Sequence, residues 1–498
     1  MYKENKMIIG KNDEKELFIL PKMANRHGII TGASGSGKTT TVKVMAESFS
    51  QAGVPVFYID VKGDLASICK KGEPSEAVDS RVKKLNLEDF EYKSFPTTFF
   101  DVFGKNGHPI RTSITDLGPR LLSIMLELSD AQEGVLTIAF QVAEDEEKHL
   151  DDLEDLKDLL QHIGDNKEEY TKKYGNITTQ TIATIQRNIL ALKQEEGNCF
   201  FGLPELQLYD LLQYDSNGCG FINVLDAQEL FKRPTLYAVF LVWILYTLFY
   251  EMPEVGDLEK PKMVLFLDEA HLIFSEMSNH IINKIIQVVK LIRSKGVGVY
   301  FISQSPSDMP DEILAQLSNK VQHVLRSYTP SDEKAIRAAS NSFRTNPNFK
   351  TEDAIKELGV GEALISFLNE KGEPNVVERA FILPPQSFMG TITDSEREMQ
   401  IKGSRIYGKY EEVQNRESAS EKVLVERKEK EERIEREKQE EIERKEAEKA
   451  EKERLKEEEK KKKNQGKMVK KVTNSVTNKV IGKATSKVVN SIWNKLFK

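Results

Sequence analysis

Gly32-Ala33-Ser34-Gly35-Ser36-Gly37-Lys38-Thr39 is the stretch that decides the fold of this chain. Two glycines bracket four residues and Lys-Thr follows, the spacing of a phosphate-binding loop. The motif needs a strand before it and a helix after it. His27-Gly28-Ile29-Ile30-Thr31 is short and apolar, as a buried strand is, and Val42, Met45, Ala46 and Phe49 recur at helical spacing after Thr40. Gly32, Gly35 and Gly37 let the N–H groups of the loop, those of Ser34 and Ser36 included, turn inward as a nest, and the helix start adds partial positive charge. Lys38 is expected to reach the β- and γ-phosphates, and Thr39, followed by Thr40 in the first helical turn, to ligate Mg²⁺. The residues imply a site for a nucleoside triphosphate.

Moving outward, Val54-Pro55-Val56-Phe57-Tyr58-Ile59-Asp60 reads as a second buried strand ending in an acid, with Lys62-Gly63-Asp64 in the turn that follows. Ligand groups in an open α/β sheet gather at the carboxyl ends of the strands, so Asp60 and Asp64 are candidates to sit beside the phosphates. The alternative is that they cap the next helix, over 65–70. Met263-Val264-Leu265-Phe266-Leu267-Asp268-Glu269 is an apolar strand whose acids emerge at its end, the expected second half of the site. Asp268 is expected to hold Mg²⁺ through water and Glu269 to orient and polarise the attacking water. The strand over 297–303 places Gln304 where it would sense the γ-phosphate or position water. A further strand over 320–325 ends at Arg326, and Arg293 precedes the Gln304 strand. Either arginine is a candidate arginine finger across a subunit interface, against the alternative of an ordinary surface ion pair.

The 498 residues allow two to four domains. Residues 1–116 read as the first part of the nucleotide core, and 117–215 as a helical insertion with Leu121, Leu122, Met125, Ile185 and Ile189 at helical spacing. Residues 216–405 read as the second part of the core, 406–463 as a charged stalk, helical or disordered, and 464–498 as a basic amphipathic segment. The net charge of −7 argues against wholesale coating of nucleic acid and leaves a local basic channel open. Three scattered cysteines, Cys69, Cys199 and Cys219, make a disulfide framework unexpected; with no apolar signal core at the N-terminus, a cytoplasmic protein is expected. The apolar run over 236–250 is short for a membrane span and reads as a helix buried against the sheet. In the stalk, Val423, Val425, Ile434, Ile442 and Leu455 keep no heptad, and dense Glu/Lys spacing favours a single helix held by i,i+4 pairs. The last segment carries lysines and no acid, with Val472, Val476, Val480, Trp493 and Phe497 among its apolar positions. It is a candidate for an anionic membrane surface, for DNA phosphates, or for packing on a neighbour.

Leu291-Ile292-Arg293-Ser294-Lys295-Gly296-Val297-Gly298, leading to Ser303-Gln304-Ser305-Pro306, resembles the HerA/FtsK superfamily of ring-forming motor ATPases, and so does the Asp60-Val61-Lys62-Gly63-Asp64 segment. More closely, residues 26–39, 60–65, 101–112, 262–274, 288–330, 358–368 and 376–385 resemble the bacterial HerA-like family of unknown function (YjgR-like), over about residues 20–405. The resemblance implies a RecA-like α/β core, a homo-oligomer that is often a hexameric ring, ATP and Mg²⁺ as ligands, and ATP-driven translocation on DNA. Lys38, Thr39, Asp268, Glu269 and Gln304 match the superfamily's motif positions, and Arg293 its turn arginine.

Overall fold

The computed structural model describes residues 1–256 and 258–496, with side chains as far as Val476. Most of the basic C-terminal segment, including Trp493 and Phe497, lies outside the described side chains, and so does its expected amphipathic face.

Among the described residues thirteen strands form one sheet. In chain order they are β1 (Tyr2–Lys3), β2 (Lys6–Lys11), β3 (Glu16–Ile19), β4 (Gly28–Thr31), β5 (Val56–Asp60), β6 (Thr97–Asp101) and β7 (His108–Pro109). Then come β8 (Ile222–Asp226), β9 (Met263–Leu267), β10 (Val297–Ser303), β11 (Asn319–Gln322), β12 (Glu362–Ser366) and β13 (Glu378–Ile382). The spatial order runs β1-β2-β13-β12-β11-β4-β10-β9-β5-β8-β6-β7, with β3 on β2. From β11 to β7 every pairing is parallel. From β12 outward the pairings are antiparallel.

The parallel block follows from the sequence. β4, β5, β6, β8, β9 and β10 are buried along their whole length, which is why they read as continuous apolar runs rather than alternating ones. Phe49 of the helix Lys38–Gln51 packs edge-on to Phe266 and Tyr300, with ring centroids 6.1 and 5.6 Å away. That contact seats the helix after the phosphate loop on β9 and β10. The RecA-like α/β expectation is met, with the loop strand β4 in mid-sheet and the acid-tipped strand β9 two places away.

The helical insertion runs from the helix Ile114–Met125 to Leu208–Leu211, through Asp130–Asp145, Leu153–Asp165, Lys167–Tyr174 and Thr179–Gln194. Ser129 with Gln132 and Asp152 with Asp155 form capping boxes at two of its helix starts. The apolar run becomes the helix Pro234–Glu251, twelve of whose residues are buried. By length and composition it would pass for a membrane span, and it is two-thirds buried inside the protein. It packs on the helices Asn279–Ile292 and Ile114–Met125, so helices as well as the sheet account for its all-round hydrophobicity.

The stalk begins later than expected. The chain divides into one unit of Met1–Lys422 and another of Val423–Lys498. Residues 406–422 therefore belong to the body: Tyr410 is fully buried, Arg111 donates to its carbonyl at 2.8 Å, and Arg416 pairs with Asp151 at 2.5 Å. Sequence composition hid this strap because its anchors are an aromatic and single charges, without periodicity. The second unit belongs to one helix, Ala419–Leu496, carrying the i,i+4 pairs Arg433–Glu437, Glu432–Arg436, Glu441–Lys445 and Arg444–Glu448. These exposed pairs contribute only a few tenths of a kcal/mol each.

Candidate active site

Parallel register brings the carboxyl ends of β4, β5, β8, β9, β10 and β11 to one edge of the sheet. The phosphate loop leaves β4 there. Gly32 has φ +153°, and a Cβ on it would lie 2.5 Å from the Cβ of His323 and 2.8 Å from Ser36 Oγ. Only glycine fits this close approach. Gly37, at φ +109°, is the N-cap of the helix Lys38–Gln51, whose first turn has neither a side-chain cap nor an acid. An uncapped, acid-free helix start leaves its N–H groups for an anion. Neighbouring strands hold the loop in place: Gly32 N–H donates to the Gln304 carbonyl at 3.2 Å, Ala33 N–H to Val324 at 2.9 Å, and Gly361 N–H to Ser36 at 3.1 Å.

Lys38 is buried, and its Nζ donates to the carbonyls of Gly32 at 2.6 Å and Ala33 at 3.2 Å. Burial, with the nearby Lys62 ammonium, lowers its pKa. Ser36 Oγ is buried without a hydrogen-bond partner. Ser34 and Gly35 are exposed at the loop tip, and Thr39 and Thr40 are half-buried in the first helical turn.

Two strands across, Asp268 and Glu269 follow β9. Asp268 is 5 % exposed and Glu269 6 %. Burial and the neighbouring Glu269 carboxylate push the Asp268 pKa up to about 7, against the pull of Lys62; a bound divalent cation would reverse that balance. Glu269 has left-handed backbone angles, φ 48° and ψ 44°, uncommon for a non-glycine residue. Its N–H donates to the Asp268 carboxylate at 2.9 Å. Its Oε1 pairs with Lys62 Nζ. Its Oε2 has no hydrogen-bond partner; His271 Nδ1 lies 3.1 Å away but is not aligned to donate.

Asp60 does not cap the helix Ala66–Cys69, which has no side-chain cap; it holds the turn before that helix. Its carboxylate accepts from the N–H groups of Gly63 at 2.7 Å, Asp64 at 3.2 Å and Leu65 at 3.0 Å. Its acceptors thus hold the turn that carries Lys62 and are not aimed at a phosphate. Burial raises its pKa to about 6, opposed by those N–H groups. Gln304 sits exposed at the end of β10, with its carbonyl on the phosphate loop. Arg326, two residues past the Val324 carbonyl that holds Ala33, is exposed at the same edge.

Arg293 stands elsewhere in the chain. It lies in the short turn Arg293–Lys295 before β10. Since Val297 pairs with Met263 while Ser303 pairs with Thr31, that turn is at the amino end of the strands. Within one chain Arg293 therefore stands at the edge of the sheet opposite the phosphate loop.

A family model described as "Helicase HerA-like C-terminal" matches residues 5–498. The chain belongs to the HerA_C family. Curated relatives named "DNA double-strand break repair helicase HerA" are similar to it. The protein of Sulfurisphaera tokodaii is 22% identical over 412 residues, 80% of this chain and 72% of the relative. That of Saccharolobus solfataricus is 25% identical over 376 residues, 72% of this chain and 64% of the relative. Among solved structures, plasmid coupling protein TrwB in complex with an ATP analogue is 13% identical, with a TM-score of 0.49, covering 77% of this chain and 93% of that one.

Several residues of this HerA-like site escape a sequence reading. His323 is fully buried beside the phosphate loop, its Nδ1 2.9 Å from the Glu362 carbonyl and its Nε2 2.8 Å from Thr41 Oγ1. The carbonyl fixes the tautomer, so Nδ1 donates and Nε2 accepts from Thr41. Arg81 donates to the carbonyls of Gly361 at 3.0 Å and Ile382 at 3.2 Å, bracing the turn that touches Ser36. Lys62 and His271 lie inside quoted motif blocks, but nothing in their spacing announces contact with Glu269.

Burial lowers the pKa of His323 to about 4, and that of His27, at the start of β4, to about 4 as well. Val299 N–H donates to His27 Nδ1 at 3.0 Å, which keeps that nitrogen unprotonated. A histidine whose folded pKa is depressed contributes stability that is fully present above the unfolded pKa of about 6.5 and lost as pH falls through the folded value. Each ring is expected to cost about 2 kcal/mol of stability between pH 7 and 5. The buried Asp60 and Asp268, with raised values, act in the opposite sense. The check is therefore a difference: urea melts of wild type and His27→Gln at pH 7 and 5, with the variant losing less stability on acidification. Equal losses would contradict a neutral buried His27.

Proposed function

We propose that this chain is an ATP-driven motor on DNA, working as a homo-oligomeric and specifically hexameric ring. The observation that carries the reading is the meeting of phosphate loop, Asp268 and a half-free Glu269 carboxylate at one sheet edge, in a chain of the HerA_C family. The DNA substrate is supported by the names of the curated relatives.

The residues fit Mg²⁺ and ATP. The unpartnered Ser36 Oγ, the uncapped helix start and the buried Lys38 suit a polyphosphate. Thr39 and Asp268 suit Mg²⁺, which usually takes one or two protein oxygens and the phosphates. When bound, Mg²⁺ neutralises charge on the β- and γ-phosphate oxygens. Lys38 exchanges the Gly32 and Ala33 carbonyls for phosphate oxygens. Water, oriented by Gln304, attacks the γ-phosphorus and passes its proton to Glu269 Oε2. The new O–P bond forms as the bond to the β–γ bridging oxygen breaks, and ADP leaves with that electron pair.

Arg326, at the nucleotide edge, is the better candidate to act on a neighbouring subunit's ATP. Arg326→Ala is expected to bind ATP and oligomerise normally while hydrolysing about a thousandfold more slowly. Mixing it with Glu269→Gln protein should restore part of the activity through mixed interfaces. No rescue at any ratio would count against a shared site.

The proposal is tested by steady-state Mg²⁺-ATP turnover with and without duplex and single-stranded DNA. Stimulation by DNA supports the motor. Turnover indifferent to DNA, in a protein that floats with anionic vesicles, would favour a nucleotide-gated scaffold recruited to a membrane surface by residues 464–498.

A further inference from the structure

Glu269 is a buried carboxylate with almost no hydrogen-bond support. One oxygen meets Lys62 Nζ and the other has no hydrogen-bond partner. A buried charge needs a counter-charge to stay ionised and fixed, and among the described residues Lys62 is the one hydrogen-bonded cation it has. The lysine is not on a free arm. It belongs to the turn after β5, where Asp60 gathers the N–H groups of Gly63, Asp64 and Leu65. Gly63, at φ +81°, packs so closely on Gln228 that a Cβ there would lie 2.5 Å from the amide nitrogen. The turn is thus fixed at both ends, and the Lys62 side chain, 45% exposed, leans from it onto the buried Glu269.

We infer that Lys62 is a positioning residue for Glu269, holding Oε1 so that Oε2 is presented to the attacking water. The left-handed backbone at Glu269 sets the side chain's starting direction, and the ammonium fixes its end. In this arrangement Asp60 acts through the turn rather than on the nucleotide. The inference rests on the proposed role of Glu269 in hydrolysis.

The test is kcat and KM for ATP in wild type, Lys62→Met, Lys62→Arg and Glu269→Gln, with melting temperatures alongside. Lys62→Met keeps most of the apolar stem and removes the charge. It is expected to lower kcat by about tenfold to a hundredfold, the usual cost of a misplaced catalytic group. KM should stay unchanged, the melting temperature should fall because the buried Glu269 loses its counter-charge, and Lys62→Arg should recover most of both the rate and the melting temperature. An unchanged or increased kcat in Lys62→Met would overturn the inference. A raised KM with kcat intact would overturn it too, assigning Lys62 to phosphate binding. Wild-type turnover in Glu269→Gln is a separate failure, that of the hydrolysis reading itself.

Discussion

Glu269→Gln is expected to bind ATP with wild-type affinity and to hydrolyse it about 10²–10⁴-fold more slowly, the range usual for loss of a positioned proton acceptor. The phosphate loop, Lys38 and Asp268 remain, so the ground state is little changed. Glutamine keeps the shape of the side chain and can still meet Lys62 through its carbonyl oxygen, but it cannot take a proton from water. The Lys62 ammonium left behind is 45% exposed and can be solvated, so the melting temperature should change little. Equilibrium binding of a fluorescent ATP analogue, single-turnover hydrolysis and a melting curve make the comparison. Undiminished hydrolysis would mean that another group activates the water.

Lys38→Ala acts on binding instead. Removing a buried ammonium that would otherwise meet phosphate oxygens typically costs 2 kcal/mol or more, about a thirtyfold loss of affinity. Of the two carbonyls Lys38 now meets at 2.6 and 3.2 Å, that of Ala33 keeps the Ser36 N–H at 3.2 Å and that of Gly32 loses its lysine donor. Titration of the ATP analogue reads the loss directly. Wild-type affinity in Lys38→Ala would remove the loop from the site.

The parallel core was legible because buried central strands are apolar throughout, and because the phosphate loop and the Asp268-Glu269 pair are local in sequence. The antiparallel edge of β12 and β13 was less legible: β13 alternates buried and half-exposed residues, and its pairing with β2 joins segments about 370 residues apart. The same distance in sequence hid the supports of the site. Thr41 meets His323 across 282 residues, and Arg81 meets Gly361 across 280. No spacing rule reaches that far. Asp60 reads from sequence as phosphate neighbour or helix cap, and the structure gives it the three N–H groups of the turn between strand and helix instead. Arg293 precedes its strand and Arg326 follows one in the sequence, and the parallel register turns that difference into opposite edges of the sheet. The strap over 406–422 was read as stalk because Tyr410 and Arg416 hold it singly, with no periodic face to see.

The most direct test of the motor is displacement of a third strand from a DNA triplex. A duplex with a free arm is offered to the protein, and release of the triplex-forming oligonucleotide is followed with Mg²⁺-ATP, with a non-hydrolysable analogue, and with Glu269→Gln protein. Movement along the duplex driven by hydrolysis predicts release with ATP and wild-type protein alone. Steady ATP turnover by the wild type with no strand released would contradict it.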